Sequence, residues 1–88
     1  MGPAEAKANA AKHRVSFEEA TTVFGDPGSL TIGDEAHSGN REDRFVTRGL
    51  SARGRILVVI HCDRGDIIRV ISARRATAHE RRQYEQED

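Results

Sequence analysis

Two adjacent arginines, Arg74 and Arg75, follow a run of β-branched residues near the end of this 88-residue chain. Arg69, five residues before Arg74, interrupts the same aliphatic segment. Arginine beside a core either pairs with a carboxylate or binds an anion such as a phosphate group. The residue types therefore leave two interpretations open: these arginines are ion-paired parts of the fold, or they hold a phosphate.

The charges are distributed unevenly along the chain, although the formal net charge is zero. Residues 1–43 carry four basic and eight acidic side chains, whereas residues 44–88 carry ten arginines and six acidic side chains. The stretch 44–82 contains no lysine, and arginine is the cation suited to bidentate contacts with phosphate or carboxylate. This composition is equally compatible with a solvated charged surface and with a site for a polyanion, most simply a nucleic acid.

Other groups that carry chemistry are sparse in the sequence. The four histidines have no metal-ligand spacing, and no glycine-rich phosphate loop occurs, so neither a metal nor a cofactor is predicted. Cys62 is the single cysteine, which excludes an internal disulfide and fits a reducing, cytoplasmic location. No apolar stretch reaches the roughly 18 residues that a membrane span needs, so no membrane partner is expected.

Two helices are predicted before the first strand. Residues 3–12 have helix-forming composition, and a second helix begins after Ser16, which forms a capping box with Glu19. Apolar residues between Phe17 and Phe24 recur at helical spacing. The glycine and proline residues at 25–28 end this helix.

Four strands are predicted between these helices and a final helix that begins after Thr77. The predicted strands cover residues 29–32, 44–50, 55–61 and 67–72, and residues 63–66 form the loop of the last hairpin. Because short loops join consecutive strands, the sheet should be antiparallel. The order α-α-β-β-β-β-α predicts one α+β domain over residues 1–88, with the two N-terminal helices covering one face of a four-stranded sheet.

The hairpin register separates His61 from Arg69. Pairing Cys62 with Ile67 places His61 on one face of the sheet and Arg69 on the other. A histidine on an aliphatic face is more often a core residue than a catalyst. A one-residue bulge would change the assignment of faces.

Arg69 and Arg74 can form a common site only if the last strand is irregular. Residues an odd number apart lie on opposite faces of a regular strand, so Arg69 would share its face with Arg75 and not with Arg74. A common phosphate site for Arg69 and Arg74 therefore requires the strand to end or twist near Ser72.

Segments along most of the chain, from Pro3 to Glu85, resemble the BrnT toxins in order and spacing. The matching residues are Lys12-His13-Arg14-Val15-Ser16-Phe17-Glu18-Glu19-Ala20, Val23-Phe24, Asp26-Pro27, Glu42, Arg44-Phe45, Gly49, Gly54-Arg55, Ile71-Ser72-Ala73-Arg74 and the stretch from Glu80 to Tyr84. The resemblance implies a RelE-like α+β fold and the toxin of a type II toxin–antitoxin system, which cleaves RNA and blocks translation. The implied partners are RNA and a BrnA-like antitoxin. The toxin is expected to be linked to DNA only indirectly, through that antitoxin.

Metal-independent cleavage by such a toxin would use the 2′-hydroxyl of the RNA as nucleophile. Arg69 and Arg74 would hold the scissile phosphate. The candidates for proton transfer are His61, Glu42, Tyr84 and the Lys12-His13 pair, and the candidates for RNA binding are Lys12, His13, Arg44, Arg55 and Arg75. The alternative is a non-catalytic binding module, or an inactive toxin, whose basic face docks an acidic antitoxin-type partner.

Two features depart from the family's pattern. The family usually begins with a short strand before the residue that matches Pro3, where this chain has Met1 and Gly2, so an edge strand is expected to be missing. Arg14 stands where glycine is usual. Because arginine is strained in a left-handed turn, a different end of the first helix is expected.

Overall fold

A computed structural model describes residues 3–33 and 43–86. The elements are α1 (Pro3–His13), α2 (Phe17–Thr22), a 3₁₀ turn (Val23–Gly25), β1 (Leu30–Gly33), β2 (Arg44–Leu50), β3 (Ile56–Arg64), β4 (Ile67–Arg75) and α3 (Ala78–Gln86). The strands form one antiparallel sheet in the order β1-β2-β3-β4. The predicted α+β class and order of elements are confirmed. None of the described helices is long and apolar enough to cross a membrane.

Both predicted capping residues begin helices, but only one capping box is complete. At α3, the Glu80 amide donates to Thr77 Oγ1 (3.2 Å) and the Thr77 amide donates to Glu80 Oε1 (2.8 Å). At α2, the Glu19 amide donates to Ser16 Oγ (3.0 Å), while the Glu19 carboxylate turns inward and bonds with other residues. The sequence pattern therefore located the start of α2 but misplaced its glutamate side chain.

Helix α1 ends in a left-handed turn at Arg14. Arg14 has φ 57°, and its amide donates to the Ala10 carbonyl at 2.9 Å. The expectation that arginine would change the end of the helix is therefore wrong: the chain adopts the glycine-like turn and accepts the strain of a Cβ in this region.

Helices α1 and α2 and the 3₁₀ turn pack against one side of the sheet, which we call the covered face. Its core consists of Val15, Phe17, Ala20, Val23, Leu57, Val59, Val70 and Ala73. Gly49 of β2 allows the 3₁₀ turn to come this close. A Cβ on Gly49 would lie 2.8 Å from Val23 Cγ1 and 2.9 Å from Ser29 Cβ.

The β3–β4 hairpin turns at Gly65 and Asp66, which is a shorter loop than predicted. Cys62 pairs with Arg69, so the register differs by two residues from the predicted pairing of Cys62 with Ile67. Since side chains alternate with a period of two, this shift leaves the predicted faces of His61 and Arg69 unchanged.

Strand β4 contains a β-bulge at Ile71. His61 pairs with Val70 and the preceding residue, Ile60, pairs with Ser72, so Ile71 is the extra residue of β4. A bulge reverses the alternation of faces for the residues that follow it. The irregularity near Ser72 that the sequence left open is therefore present.

Candidate functional site

Arginines of β2, β3 and β4 lie on the side of the sheet opposite the covered face, and we call this side the arginine face. Arg44 and Arg69 both pair with Cys62, while Arg48 and Arg74 both pair with Val58. Paired residues share a face, and residues four apart in β3 do so as well. Arg64, two residues after Cys62 in β3, shares this face, so five arginine side chains project to the same side: Arg44, Arg48, Arg64, Arg69 and Arg74.

The bulge at Ile71 brings Arg74 to the arginine face. Without it, the odd spacing between Arg69 and Arg74 would direct Arg74 to the covered face. Arg75 instead pairs with Leu57 and lies on the other side. The bulge thus places Arg69 and Arg74 on one face and separates Arg75 from them.

An apolar row crosses the arginine face, with Arg44 and Arg69 on one side of it and Arg48 and Arg74 on the other. Ile32 pairs with Val46, Val46 with Ile60, and Ile60 with Ser72. Ile32 is 57% exposed, and Val46 and Ile60 are partly exposed. The face therefore combines cationic groups with an accessible apolar strip.

Helix α3 lies beside one end of the arginine face and fixes Arg74. Arg74 donates from Nη1 to Glu80 Oε1 (2.8 Å) and from Nη2 to Glu80 Oε2 (2.9 Å). These bonds lower the pKa of Glu80 to about 2 and raise the pKa of Arg74. Arg48 donates to Gln83 Oε1 of the same helix at 3.1 Å. Arg74 is thus held in a defined orientation while its side chain stays 39% exposed.

His61 is buried on the covered face, away from Arg69 and Arg74. Its Nδ1 lies 2.6 Å from Asp63 Oδ1, and its Nε2 lies 2.7 Å from Thr47 Oγ1. The Phe24 ring packs edge-on against it, with centroids 4.9 Å apart. With both nitrogens bonded and 2% of its surface exposed, His61 is placed to hold the core together.

Arg55 is tied to the buried Glu19 of α2. Its Nε donates to Glu19 Oε2 at 2.9 Å, its Nη2 contacts Glu19 Oε1, and Ser51 Oγ donates to Oε2 at 2.7 Å. The bonds from Arg55 outweigh desolvation and lower the pKa of Glu19. Arg55 also donates to the Arg14 carbonyl at 3.2 Å. This network joins α2 to the β2–β3 turn, a role that the sequence did not reveal.

Tyr84 bonds with Asp26 at the end of the sheet, where α3 is attached. Its hydroxyl donates to Asp26 Oδ2 at 2.6 Å, and the Leu50 amide donates to the same oxygen at 2.8 Å. The backbone bond from Leu50 and the bond from Tyr84 lower the pKa of Asp26. Arg75 lies near this end and, with Arg81, lines a cavity of about 430 Å³. Tyr84 and Arg75 are therefore grouped with the attachment of α3, apart from Arg44 and Arg69.

Lys12 and His13 lie beside β4, an outer strand of the described sheet. They line an open groove of about 270 Å³ together with Ala8, Asn9, Ile71 and Ser72. The remaining candidate, Glu42, lies outside the described residues. Among residues 3–33 and 43–86, no cluster of histidine, cysteine or acidic side chains is placed to hold a metal ion.

Comparison with known proteins identifies one family. The family model described as a ribonuclease toxin, BrnT, of type II toxin–antitoxin systems matches residues 3–80. The match extends from α1 through the complete sheet to the first turn of α3. No curated protein matches the chain.

Proposed function

This chain belongs to the BrnT family of ribonuclease toxins of type II toxin–antitoxin systems, and we propose that it is an endoribonuclease that cleaves RNA without a metal ion and thereby blocks translation. Membership of the family implies an antitoxin partner. We further propose that the sheet with its flanking helices is a RelE-like scaffold for this activity.

The observation that carries the proposal is the common face of Arg44, Arg69 and Arg74. Guanidinium groups bind phosphate oxygens with two parallel hydrogen bonds, so arginines in neighbouring strands suit a phosphodiester chain. The exposed apolar row beside them suits the faces of unpaired bases, which pack against apolar side chains. The arginine face therefore offers contacts to both parts of single-stranded RNA.

In the proposed reaction, Arg69 and Arg74 hold the scissile phosphate. The 2′-oxygen of the RNA attacks the phosphorus, and negative charge accumulates on the phosphoryl oxygens in the transition state. Preoriented cations stabilise that charge without having to reorganise during the reaction. The bidentate bonds from Arg74 to Glu80 provide such orientation.

We propose that a BrnA-like antitoxin covers the same face. Large apolar side chains are exposed there, with Leu30 at 44%, Ile32 at 57% and Leu50 at 40%. Exposed apolar groups beside charged ones are typical of protein interfaces. An acidic antitoxin bound here would exclude RNA, and DNA would be reached only through that antitoxin.

The test is RNA cleavage by the purified protein in the presence of a chelator. Arg69→Ala and Arg74→Ala should each reduce cleavage about 100-fold, because each removes a cation from the transition state. Arg53→Ala is the matched control, since Arg53 is exposed in the β2–β3 turn, away from the arginine face.

Equal cleavage by the wild type and both variants would exclude the arginine face as the active site. If the wild type neither cleaves RNA nor arrests growth when its synthesis is induced, the chain is a non-catalytic binding module instead.

A further inference from the structure

The groove at the edge of β4 is lined by a histidine, His13, which can accept a proton as the arginines of the arginine face cannot. We infer that His13 is the general base of the cleavage and that Lys12 supports it by stabilising the transition state. This inference rests on the proposed ribonuclease function and assigns the proton transfer that Arg69 and Arg74 cannot perform, since arginine stays protonated in proteins.

Helical spacing brings Lys12 and His13 to the same side of α1 as Asn9. Residues three and four apart in a helix are neighbours on its surface. Asn9 faces β4, so the two residues one turn later also lie against this strand. All three line the groove.

Asn9 holds this end of α1 rigidly on the edge of the sheet. Its Nδ2 donates to the carbonyls of Val15 (2.8 Å) and Ala73 (2.9 Å). Its Oδ1 accepts from the Ala73 amide (3.0 Å) and from Ser72 Oγ (3.3 Å). The side chain thus uses both donors and both acceptor positions of its amide and is 7% exposed. A catalytic group placed one turn away gains a fixed position from this anchor.

The groove adjoins the arginine face through Ser72 and the bulge. Ser72 pairs with Ile60, whose side chain belongs to the apolar row of that face, and Ser72 also lines the groove. Ile71, the extra residue of the bulge, forms another part of the groove wall. RNA whose phosphate rests on Arg69 and Arg74 therefore meets the groove where it passes the edge of β4.

The other described histidines occupy different environments. His61 is buried with both ring nitrogens bonded, and His79 is exposed on α3. His13 is partly exposed in a groove that a nucleotide can enter. Imidazole is also the side chain that changes protonation between about pH 5 and 8.

In the proposed step, a ring nitrogen of His13 accepts the proton of the 2′-hydroxyl. The 2′-oxygen then forms a bond to phosphorus, the bond from phosphorus to the 5′-oxygen breaks, and the 5′-oxygen takes a proton from solvent water. The products are a 2′,3′-cyclic phosphate and a 5′-hydroxyl. Lys12 and Arg14 are the ionisable residues next to His13 in the sequence, and among the described residues that line the groove, Ile71 and Ser72 of β4 carry no charge.

The experiment compares His13→Ala with His79→Ala in the RNA cleavage assay with chelator, over pH 5 to 8. The wild type and His79→Ala should show a rate that rises as imidazole loses its proton. His13→Ala should lose about 100-fold or more in rate and should lack this rise. Added free imidazole should restore part of its activity. His13→Asn serves as a second variant of similar polarity if His13→Ala does not fold.

Wild-type cleavage by a folded His13 variant would overturn the inference and leave the ribonuclease function standing. The inference would also be overturned by a folded, inactive variant that imidazole does not rescue. If the wild type itself does not cleave RNA, the ribonuclease function fails, and the role of His13 fails with it.

Discussion

Two arginine–glutamate pairs in the described part of the chain lie on opposite sides of the sheet, and they differ in exposure. Arg55 meets Glu19 on the covered face, where the arginine and glutamate side chains are 26% and 3% exposed and Ser51 completes the hydrogen bonds of the glutamate. Arg74 meets Glu80 beside the arginine face, where the two side chains are 39% and 24% exposed. The same two residue types thus form a buried clamp between elements in one place and an accessible, oriented cation in the other.

The comparison shows that burial, rather than residue type, determines what an arginine can do here. A buried carboxylate cannot be left unpaired, so Arg55 is committed to the fold. A partly exposed pair contributes little to stability, which is consistent with the anion-binding role that we propose for Arg74. Substitutions on the two faces should therefore differ in their effects.

The largest difference is expected between apolar side chains of the two faces. Leu57→Ala removes a fully buried side chain from the covered face and should lower the free energy of unfolding by about 2–5 kcal/mol. Ile32→Ala, on the arginine face, should cost less than about 1 kcal/mol because Ile32 is 57% exposed. Urea unfolding at neutral pH measures both. Similar losses would contradict the assignment of Ile32 to an open face.

The two ion pairs give the next contrast. Glu19→Gln removes the charge of a buried carboxylate to which Arg55 donates. This change should lower the free energy of unfolding by about 2–3 kcal/mol. Glu80→Gln should cost no more than about 1 kcal/mol, since solvent screens this pair. Thermal unfolding of both variants checks the prediction. A larger loss in Glu80→Gln would reverse the roles assigned to the pairs.

The close approach of the 3₁₀ turn on the covered face can be tested with glycines of β2 and β1. Gly49→Ala should cost about 1–3 kcal/mol, because the new Cβ would lie 2.8 Å from Val23 Cγ1. Gly33→Ala meets nothing within 4 Å and should change stability by less than about 0.5 kcal/mol. Denaturant midpoints compare them, and an unchanged midpoint for Gly49→Ala would mean that the turn can move away.

Acid should weaken the Arg74–Glu80 pair. The pKa of Glu80 is lowered to about 2 from 4.5, so the contribution of this pair is present above pH 4.5 and is lost as the pH falls towards 2. Since both side chains are partly exposed, this contribution should be below about 1 kcal/mol. The difference in unfolding free energy between the wild type and Glu80→Gln should therefore shrink between pH 5 and pH 2. A difference in unfolding free energy that grows as the pH falls would contradict this prediction.

The only gain in stability among these substitutions is expected from Arg14→Gly. Arg14 has φ 57°, which glycine adopts without steric cost, so the substitution should stabilise the fold by up to about 1 kcal/mol. The bond from Arg55 to the Arg14 carbonyl is a backbone contact and is retained. A raised melting temperature checks this expectation, and an unchanged or lower one would contradict it.

The sequence predicted the order of elements and the faces of His61 and Arg69, because periodicity and β-branched residues report on a whole strand at once. It did not predict the bulge. Val70 and Ala73 both face the core although they are three residues apart, but the intervening Ile71 is apolar and fits a regular strand equally well. A one-residue irregularity that depends on packing leaves little trace in the local composition.

The candidate site was harder to predict than the fold. The sequence made Arg69 and Arg74 candidates for a phosphate site, but whether they share a face depended on the bulge. Glu19 fitted a capping box by spacing, and its bonds to Arg55 depend on a turn 36 residues later in the chain. Contacts between distant segments follow from tertiary packing, which local sequence patterns do not encode.

The hydrogen bonds of Asn9 also affect the order in which parts of the chain can fold. Neighbouring strands follow one another in the chain, so the sheet can grow hairpin by hairpin as synthesis proceeds. The bonds of Asn9 to Ala73, however, can form only after the ribosome has added a further 64 residues. The groove beside His13 therefore forms only after β4 has been synthesised. A nascent chain that ends before β4 has the arginines of β2 but lacks the strand that forms one wall of this groove.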